Sequence, residues 1–77
     1  MDTTMTLAQL DPGQTANVVK IRGEGPLRRR LLDMGITHGV GIEVVRVSPL
    51  GDPVEYKLRG YNLSLRKAEA QLIEVEV

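Results

Sequence analysis

The apolar residues are most regularly spaced in the segment from Pro26 to Met34. Leu27, Leu31 and Met34 recur at intervals of four and three residues, which puts them on one face of a helix. Pro26 suits the first helical position, because its φ is already fixed and an N–H is not needed there. The pattern therefore predicts a helix of about two and a half turns over this segment.

The predicted helix also has a clear stop signal. Gly35 can adopt the left-handed conformation that ends many helices. Ile36 then falls where a residue after such an ending packs back onto the helix, here onto Leu31. This helix is the best-defined element that the sequence predicts.

Strands are predicted on both sides of the helix. A short strand is expected around Thr6–Leu7, and the Pro-Gly of Leu10–Gln14 predicts a type II turn before a strand at about Thr15–Arg22. Val40–Val47 is rich in β-branched residues, but its alternation slips in the middle, which favours a bulge or a sharp bend.

The C-terminal third predicts a hairpin, one helical turn and a last strand. We expect strands at Val54–Arg59 and Asn62–Arg66, joined by a type II′ turn at Gly60–Tyr61. That register pairs Leu58 with Leu63, Tyr56 with Leu65 and Glu55 with Arg66. Lys67–Gln71 can form one helical turn. In the final strand Ile73, Val75 and Val77 are predicted to face inward.

Together these elements predict a mainly β protein. Five or six short strands with one short inserted helix cannot form a sandwich, so we expect a small SH3-like barrel. The 77 residues fit a single domain covering positions 1–77.

Composition restricts the possible functions. Ten basic and ten acidic residues cancel, and only two side chains are aromatic, which disfavours nucleic acid as a partner. The aromatic-lined groove of a peptide-binding SH3 domain is disfavoured for the same lack of aromatic residues. Without cysteine, signal peptide or long apolar run, we expect a cytoplasmic protein with no direct membrane insertion.

Catalytic and metal-binding groups are sparse in the sequence. The one histidine, His38, lies in a predicted turn without an evident nucleophile or orienting partner, so we expect no enzyme. Acidic residues are scattered, and none has ligand spacing to a histidine. No cofactor or dedicated metal site is predicted from the residues themselves.

Three consecutive arginines in the predicted helix have two possible explanations. In the first, they form a solvated face: Arg29 pairs with Asp33 four residues on, while Arg28 and Arg30 cover the edge of the core. Two features do not fit. Leu32 points away from the apolar stripe, and cations in the first turns oppose the helix dipole.

The second explanation is a docking surface. It would include Arg28, Arg29, Leu32, Leu50 and Tyr61, residues that the fold does not require, and Arg and Tyr are side chains that interfaces favour. The alternative for Leu32 and Leu50 is that they lie against the barrel wall and cover a thin core.

The stretch "PLRRRLLDMGITHGVGIEVVRVSPLGDPVEYKLRGYNLSLRKAEAQLIEV" resembles the FeoA family of ferrous iron transport proteins. The shared pattern is a helix ending in Leu-x-x-x-Gly-Ile, then x-x-Gly, a valine-rich strand, Pro-Leu-Gly-Asp-Pro, a hairpin, and Leu-Arg-Lys before an Ile-x-Val tail. The likeness extends from about Leu7 to the C-terminus.

The resemblance implies an SH3-like barrel and a cytoplasmic accessory role toward FeoB, the membrane transporter of Fe(II) with a GTP-binding cytoplasmic domain. It also implies an association with transition metals, Fe(II) above all. The alternative is a metal-responsive regulatory domain, like the C-terminal SH3-like domain of metal-dependent repressors, that binds metal weakly through carboxylates and His38.

Overall fold

The alternating segments form one antiparallel sheet in the computed structural model, which describes residues 4–77. Its six strands are β1 (Thr4–Thr6), β2 (Thr15–Ile21), β3 (Gly41–Val47), β4 (Val54–Leu58), β5 (Tyr61–Leu65) and β6 (Ile73–Glu76). They lie in the order β1-β6-β2-β3-β4-β5. Helix α1 (Pro26–Asp33) connects β2 to β3, and the single turn α2 (Lys67–Ala70) connects β5 to β6. The mainly β class is confirmed.

Two bulges bend this sheet. The register between β2 and β6 shifts at Val19, and the register between β3 and β4 shifts at Val45. A bulge sharpens the local twist and bends its strand. The second one lies where the alternation of β3 slips in the sequence, so that prediction is confirmed.

The core lies inside the curved sheet and is closed by α1 and the short helical turns. Its fully buried large side chains come from every part of the chain after β1: Leu7, Val18, Leu31, Ile36, Ile42, Val44, Tyr56, Leu58, Leu65, Ile73 and Val75. Tyr56 is the largest of them. Burial, assisted by the negative charge of Asp52, raises the pKa of its hydroxyl to about 12.

Both ends of α1 follow their sequence signals. Pro26 occupies the first turn. At the other end the N–H of Ile36 donates to Leu31 O at 3.2 Å and that of Gly35 to Leu32 O at 3.0 Å, which is a Schellman ending. Gly35 has φ +95°, and a Cβ there would lie 2.8 Å from the Tyr61 hydroxyl, so this position requires glycine.

The predicted register of the β4–β5 hairpin is wrong by two residues. Leu58 pairs with Tyr61, Tyr56 with Leu63, and Glu55 with Ser64 rather than Arg66. The turn is Arg59–Gly60, where both residues have positive φ (50° and 84°), as a type I′ turn requires. Because the shift is an even number, each side chain keeps its predicted face.

Two more expectations need correction. Leu7 is not in a strand: β1 ends at Thr6, and Leu7–Gln9 form a 3₁₀ turn with Leu7 buried. Val77 does not face inward but is 69% exposed, beyond the end of β6. Glu74, in contrast, is buried although its side chain points to the face opposite Ile73 and Val75, and Lys20 and Arg22 both reach its carboxylate.

Candidate interaction surface

The outer side of α1 forms a shallow groove, here called the α1 groove. Six residues line it: Gly25, Pro26, Arg28, Arg29, Leu32 and Asp33. The structure thus brings together three of the five residues predicted to form a docking surface. Leu50 and Tyr61 do not line this groove.

The three arginines of α1 have different surroundings. Arg30 turns toward α2, where its Nη1 lies 3.2 Å from Oε2 of Glu69. The Glu69 side chain is only 11% exposed, and its other oxygen accepts the Arg66 N–H at 2.8 Å. Arg28 and Arg29 are exposed, and neither makes an ion pair within the described residues 4–77. The predicted pair between Arg29 and Asp33 is therefore wrong.

Leu32 combines features of both explanations considered for it. It packs against the edge of the core, as a residue covering a thin core would. It is nevertheless only half-buried, and its remaining surface contributes the apolar part of the α1 groove next to Arg28 and Arg29.

Leu50 lies at the tip of the β3–β4 loop and is 95% exposed. The loop beneath it is held by hydrogen bonds: Gly51 N–H donates to Ser48 O at 2.8 Å, and Asp52 Oδ1 accepts the Lys67 N–H at 2.9 Å. Leu50 therefore does not cover the core, which removes that alternative for this residue.

Tyr61 begins β5 and is 43% exposed. Its hydroxyl donates to the backbone carbonyl of Met34, at the C-terminal end of α1. The neighbouring Arg59 also reaches Thr37, with 3.3 Å between Nη2 and Oγ1. Tyr61 thus has a structural contact, since it fastens the hairpin to the end of the helix, and its role in partner binding stays a prediction.

The titratable groups do not assemble a metal centre in the part of the chain that the structure describes. No three His, Asp or Glu side chains come together there. His38 is exposed in the turn before β3. In the β4–β5 hairpin, hydrogen bonds from Asn62 and Arg46 lower the pKa of Glu55. Within residues 4–77, no helix has the length and apolar character of a membrane span.

Comparison with models of known protein families shows the family to which this chain belongs. A family model described as the FeoA domain matches residues 5–77. The chain belongs to the FeoA family. It is 47% identical over 73 residues to an Fe(2+) transport protein A/Fe(2+) transporter FeoB fusion protein of Porphyromonas gingivalis. That match covers 95% of this chain but 9% of the fusion protein, so the chain spans less than a tenth of this relative's length.

Solved structures agree with the family and the fold. A FeoA-like protein from Clostridium acetobutylicum superposes with a TM-score of 0.91 at 42% identity, covering 100% of this chain and 90% of that one. Stenotrophomonas maltophilia FeoA, solved with zinc and described as an SH3 domain protein, gives 0.84 at 26% identity, covering 94% and 89%. The predicted SH3-like fold is confirmed.

A manganese-dependent transcriptional repressor shares only this fold. Its TM-score is 0.86, and the match covers 99% of this chain and 42% of the repressor. At 19% identity the likeness concerns the fold and no shared function.

Sequence reasoning missed three groove residues and two exposed valines. Gly25, Pro26 and Asp33 line the α1 groove with the predicted residues. Val45 and Val47, at the end of β3, are 37% and 39% exposed. The slip in the β3 pattern contained the signal for Val45, because a bulge turns a side chain away from its regular face.

Proposed function

We propose that this FeoA-family protein is a cytoplasmic accessory of ferrous iron transport. It acts without catalysis, as an interaction module on the cytoplasmic GTP-binding part of a FeoB-type membrane transporter. Neither nucleic acid nor direct membrane insertion belongs to this proposal.

The observation that supports it most is the fusion of a FeoA domain to FeoB in the Porphyromonas gingivalis relative. Joining two modules in one polypeptide holds them at a high effective concentration, on the order of millimolar for short linkers. Such a fusion is favoured when the two modules act on each other. The 47% identity over 95% of this chain supports the same relationship for this domain.

The surface described above is compatible with docking. The α1 groove combines an apolar floor with two exposed arginines, and Leu50 projects from a loop held by hydrogen bonds. Arginine beside apolar side chains is a combination that interfaces favour.

The proposal is tested by titrating isotope-labelled protein with the purified GTP-binding domain of the FeoB-type transporter from the same organism, followed by NMR. The transporter's other cytoplasmic segments are titrated separately, and an unrelated GTP-binding protein serves as the control. We expect localised shifts with a transporter segment and none with the control. If no cytoplasmic segment perturbs the spectrum, direct docking is rejected.

A second candidate function is weak metal binding by a regulatory domain. The zinc complex of the Stenotrophomonas maltophilia relative is the observation that favours it. In this chain a site would have to combine the exposed His38 with scattered carboxylates, which do not form a three-ligand cluster within residues 4–77. Anaerobic calorimetry with millimolar Fe(II) tests this candidate. Heat that disappears in His38→Ala supports it, and no heat at all rejects it.

A further inference from the structure

Three of the four charges on α1, those of Arg28, Arg29 and Asp33, oppose the helix's own dipole, whereas Arg30 in the last turn is favourable. Arg28 and Arg29 lie in the first two turns, where the helix end is positive, and Asp33 lies at the last position, where it is negative. No acidic side chain is present in the first turn. Arg28, Arg29 and Asp33 therefore do not stabilise the isolated helix through its dipole.

Contacts within the chain do not compensate for it. Among the described residues 4–77, Arg30 alone of the three arginines reaches a carboxylate, that of Glu69. Arg28 and Arg29 make no ion pair in residues 4–77, although Asp33 lines the same groove. By contrast, Arg22 and Arg46 elsewhere on the surface are each paired with a glutamate. Two adjacent cations therefore face solvent with no intramolecular partner among these residues.

The groove also has an apolar component. Leu32 is half-buried, so part of its side chain lies between the arginines and the core. Pro26 adds an exposed apolar ring at the other end of the groove. A ligand that fits must present negative charge to two guanidinium groups and an apolar group to Leu32.

We propose that the α1 groove docks an acidic, amphipathic protein segment. Its carboxylates pair with Arg28 and Arg29, and an apolar side chain beside them packs on Leu32. This inference rests on the proposed function and deepens it, because it assigns the segment to the cytoplasmic part of the FeoB-type transporter and the contact to one side of α1.

A protein segment fits the groove better than an anionic lipid surface or nucleic acid. Asp33 lies in the groove and would repel a surface of phosphates, whereas a peptide can place a donor opposite it. The chain also has no net charge with which to hold a polyanion. Carboxylates beside an apolar group complement the two arginines and Leu32, and a peptide donor can face Asp33.

The test uses two double variants with the same change in charge. R28Q/R29Q removes the two groove cations, and K57Q/K67Q removes two exposed cations that do not line the groove and make no ion pair within residues 4–77. Affinity for the transporter's cytoplasmic segments is measured by calorimetry between 50 and 500 mM NaCl. We expect R28Q/R29Q to weaken binding about five- to tenfold at low salt and to remove most of its salt dependence. The control should stay within about twofold of the wild type.

Further arms separate the possible outcomes. Leu32→Gln should weaken binding equally at low and high salt, and circular dichroism shows whether it is folded. Wild-type binding that R28Q/R29Q leaves unchanged overturns the groove assignment while the proposed function stands. No binding of wild type to any segment rejects both. Binding to phosphatidylserine vesicles that requires Arg28 and Arg29, without binding to the transporter segments, overturns the protein ligand in favour of a membrane surface.

Discussion

The two sides of α1 use the same residue types for different purposes. The three consecutive arginines and the two consecutive leucines of this helix are distributed over both sides. On the inner side Leu31 is fully buried and Arg30 pairs with Glu69. On the outer side Leu32 is half-buried, while Arg28 and Arg29 lack an ion-pair partner in residues 4–77. Residue type alone therefore does not show which side chains hold the fold and which are available for a partner.

Helix α1 is attached to the barrel by side chains on its inner side and at its C-terminal end. The side-chain contacts that attach it include the burial of Leu31, the ion pair of Arg30 with Glu69, and the hydrogen bond from Tyr61 to the Met34 carbonyl. All three lie on the inner side or at the C-terminal end of the helix. On the outer side Arg28 and Arg29 take no part in this attachment through an ion pair within residues 4–77.

The largest expected difference between the two sides is that between the leucines. Leu31→Ala should lower the free energy of unfolding by about 2–5 kcal/mol, because it leaves a cavity in a fully packed core. Leu32→Ala should lose only about 1 kcal/mol, since part of its surface is already in water. Urea denaturation of both variants measures the difference. Equal losses would show that Leu32 belongs to the core.

Removing the Glu69 carboxylate, which pairs with Arg30 on the inner side of α1, should have the next largest effect on stability. Glu69→Gln weakens both the contact with Arg30 and the hydrogen bond that caps α2, so we expect a loss of about 1–2 kcal/mol. For a domain of this size that is a fall in Tm of roughly 5–15 °C. Calorimetry measures it, and an unchanged Tm would mean that Arg30 is as weakly held as its two neighbours.

The attachment at the end of the helix should contribute less. Tyr61→Phe removes only the hydroxyl that donates to the Met34 carbonyl, and we expect a loss of about 1 kcal/mol. Hydrogen exchange of the amides in the last turn of α1 should accelerate as well. If stability and exchange are both unchanged, Tyr61 is available entirely for a partner, as the sequence analysis predicts.

The outer arginines should have almost no effect on stability. R28Q/R29Q removes cations without an ion pair from the unfavourable end of the helix dipole, so the free energy of unfolding should change by no more than about 0.5 kcal/mol, and in the direction of higher stability. Urea denaturation at low salt gives the clearest measurement. A clear loss would place these arginines in the fold.

The smallest effect is expected at Glu55, a carboxylate in the β4–β5 hairpin that does not belong to α1. Hydrogen bonds from Asn62 and Arg46 lower the pKa of Glu55 in the folded protein. Because the folded pKa lies below the unfolded value of 4.5, this stabilisation is present above pH 4.5 and disappears as the pH falls through the folded pKa. NMR titration of Asn62→Ala should show a pKa closer to 4.5, and an unchanged midpoint would contradict the assignment.

Local signals made the helix and the bulge predictable. Pro26, Gly35 and the spacing of the apolar residues specify α1 and its Schellman ending by contacts within a few residues. The consecutive Val44 and Val45 likewise mark the bulge in β3. These features need no knowledge of the rest of the chain.

The hairpin shows where local reasoning failed. Gly60 offered two possible turns, and the observed one requires Arg59 to adopt a positive φ, which a non-glycine residue rarely does. The register that results brings Tyr61 into β5, where its hydroxyl reaches the end of α1. The sequence of the turn does not predict this contact between Tyr61 and Met34, because the two residues are 27 positions apart in the chain.

Periodicity and motifs predicted helix α1, most of the strands and their inward faces, and membership of the FeoA family, because these signals are local and the pleat has a period of two. Tertiary structure decided which charges are paired. Glu69 and Glu74 look like surface residues in the sequence, yet the fold buries both: Arg30 of α1 reaches Glu69, and Lys20 and Arg22 reach Glu74. No carboxylate of residues 4–77 reaches Arg28 or Arg29, and only the folded chain shows that difference.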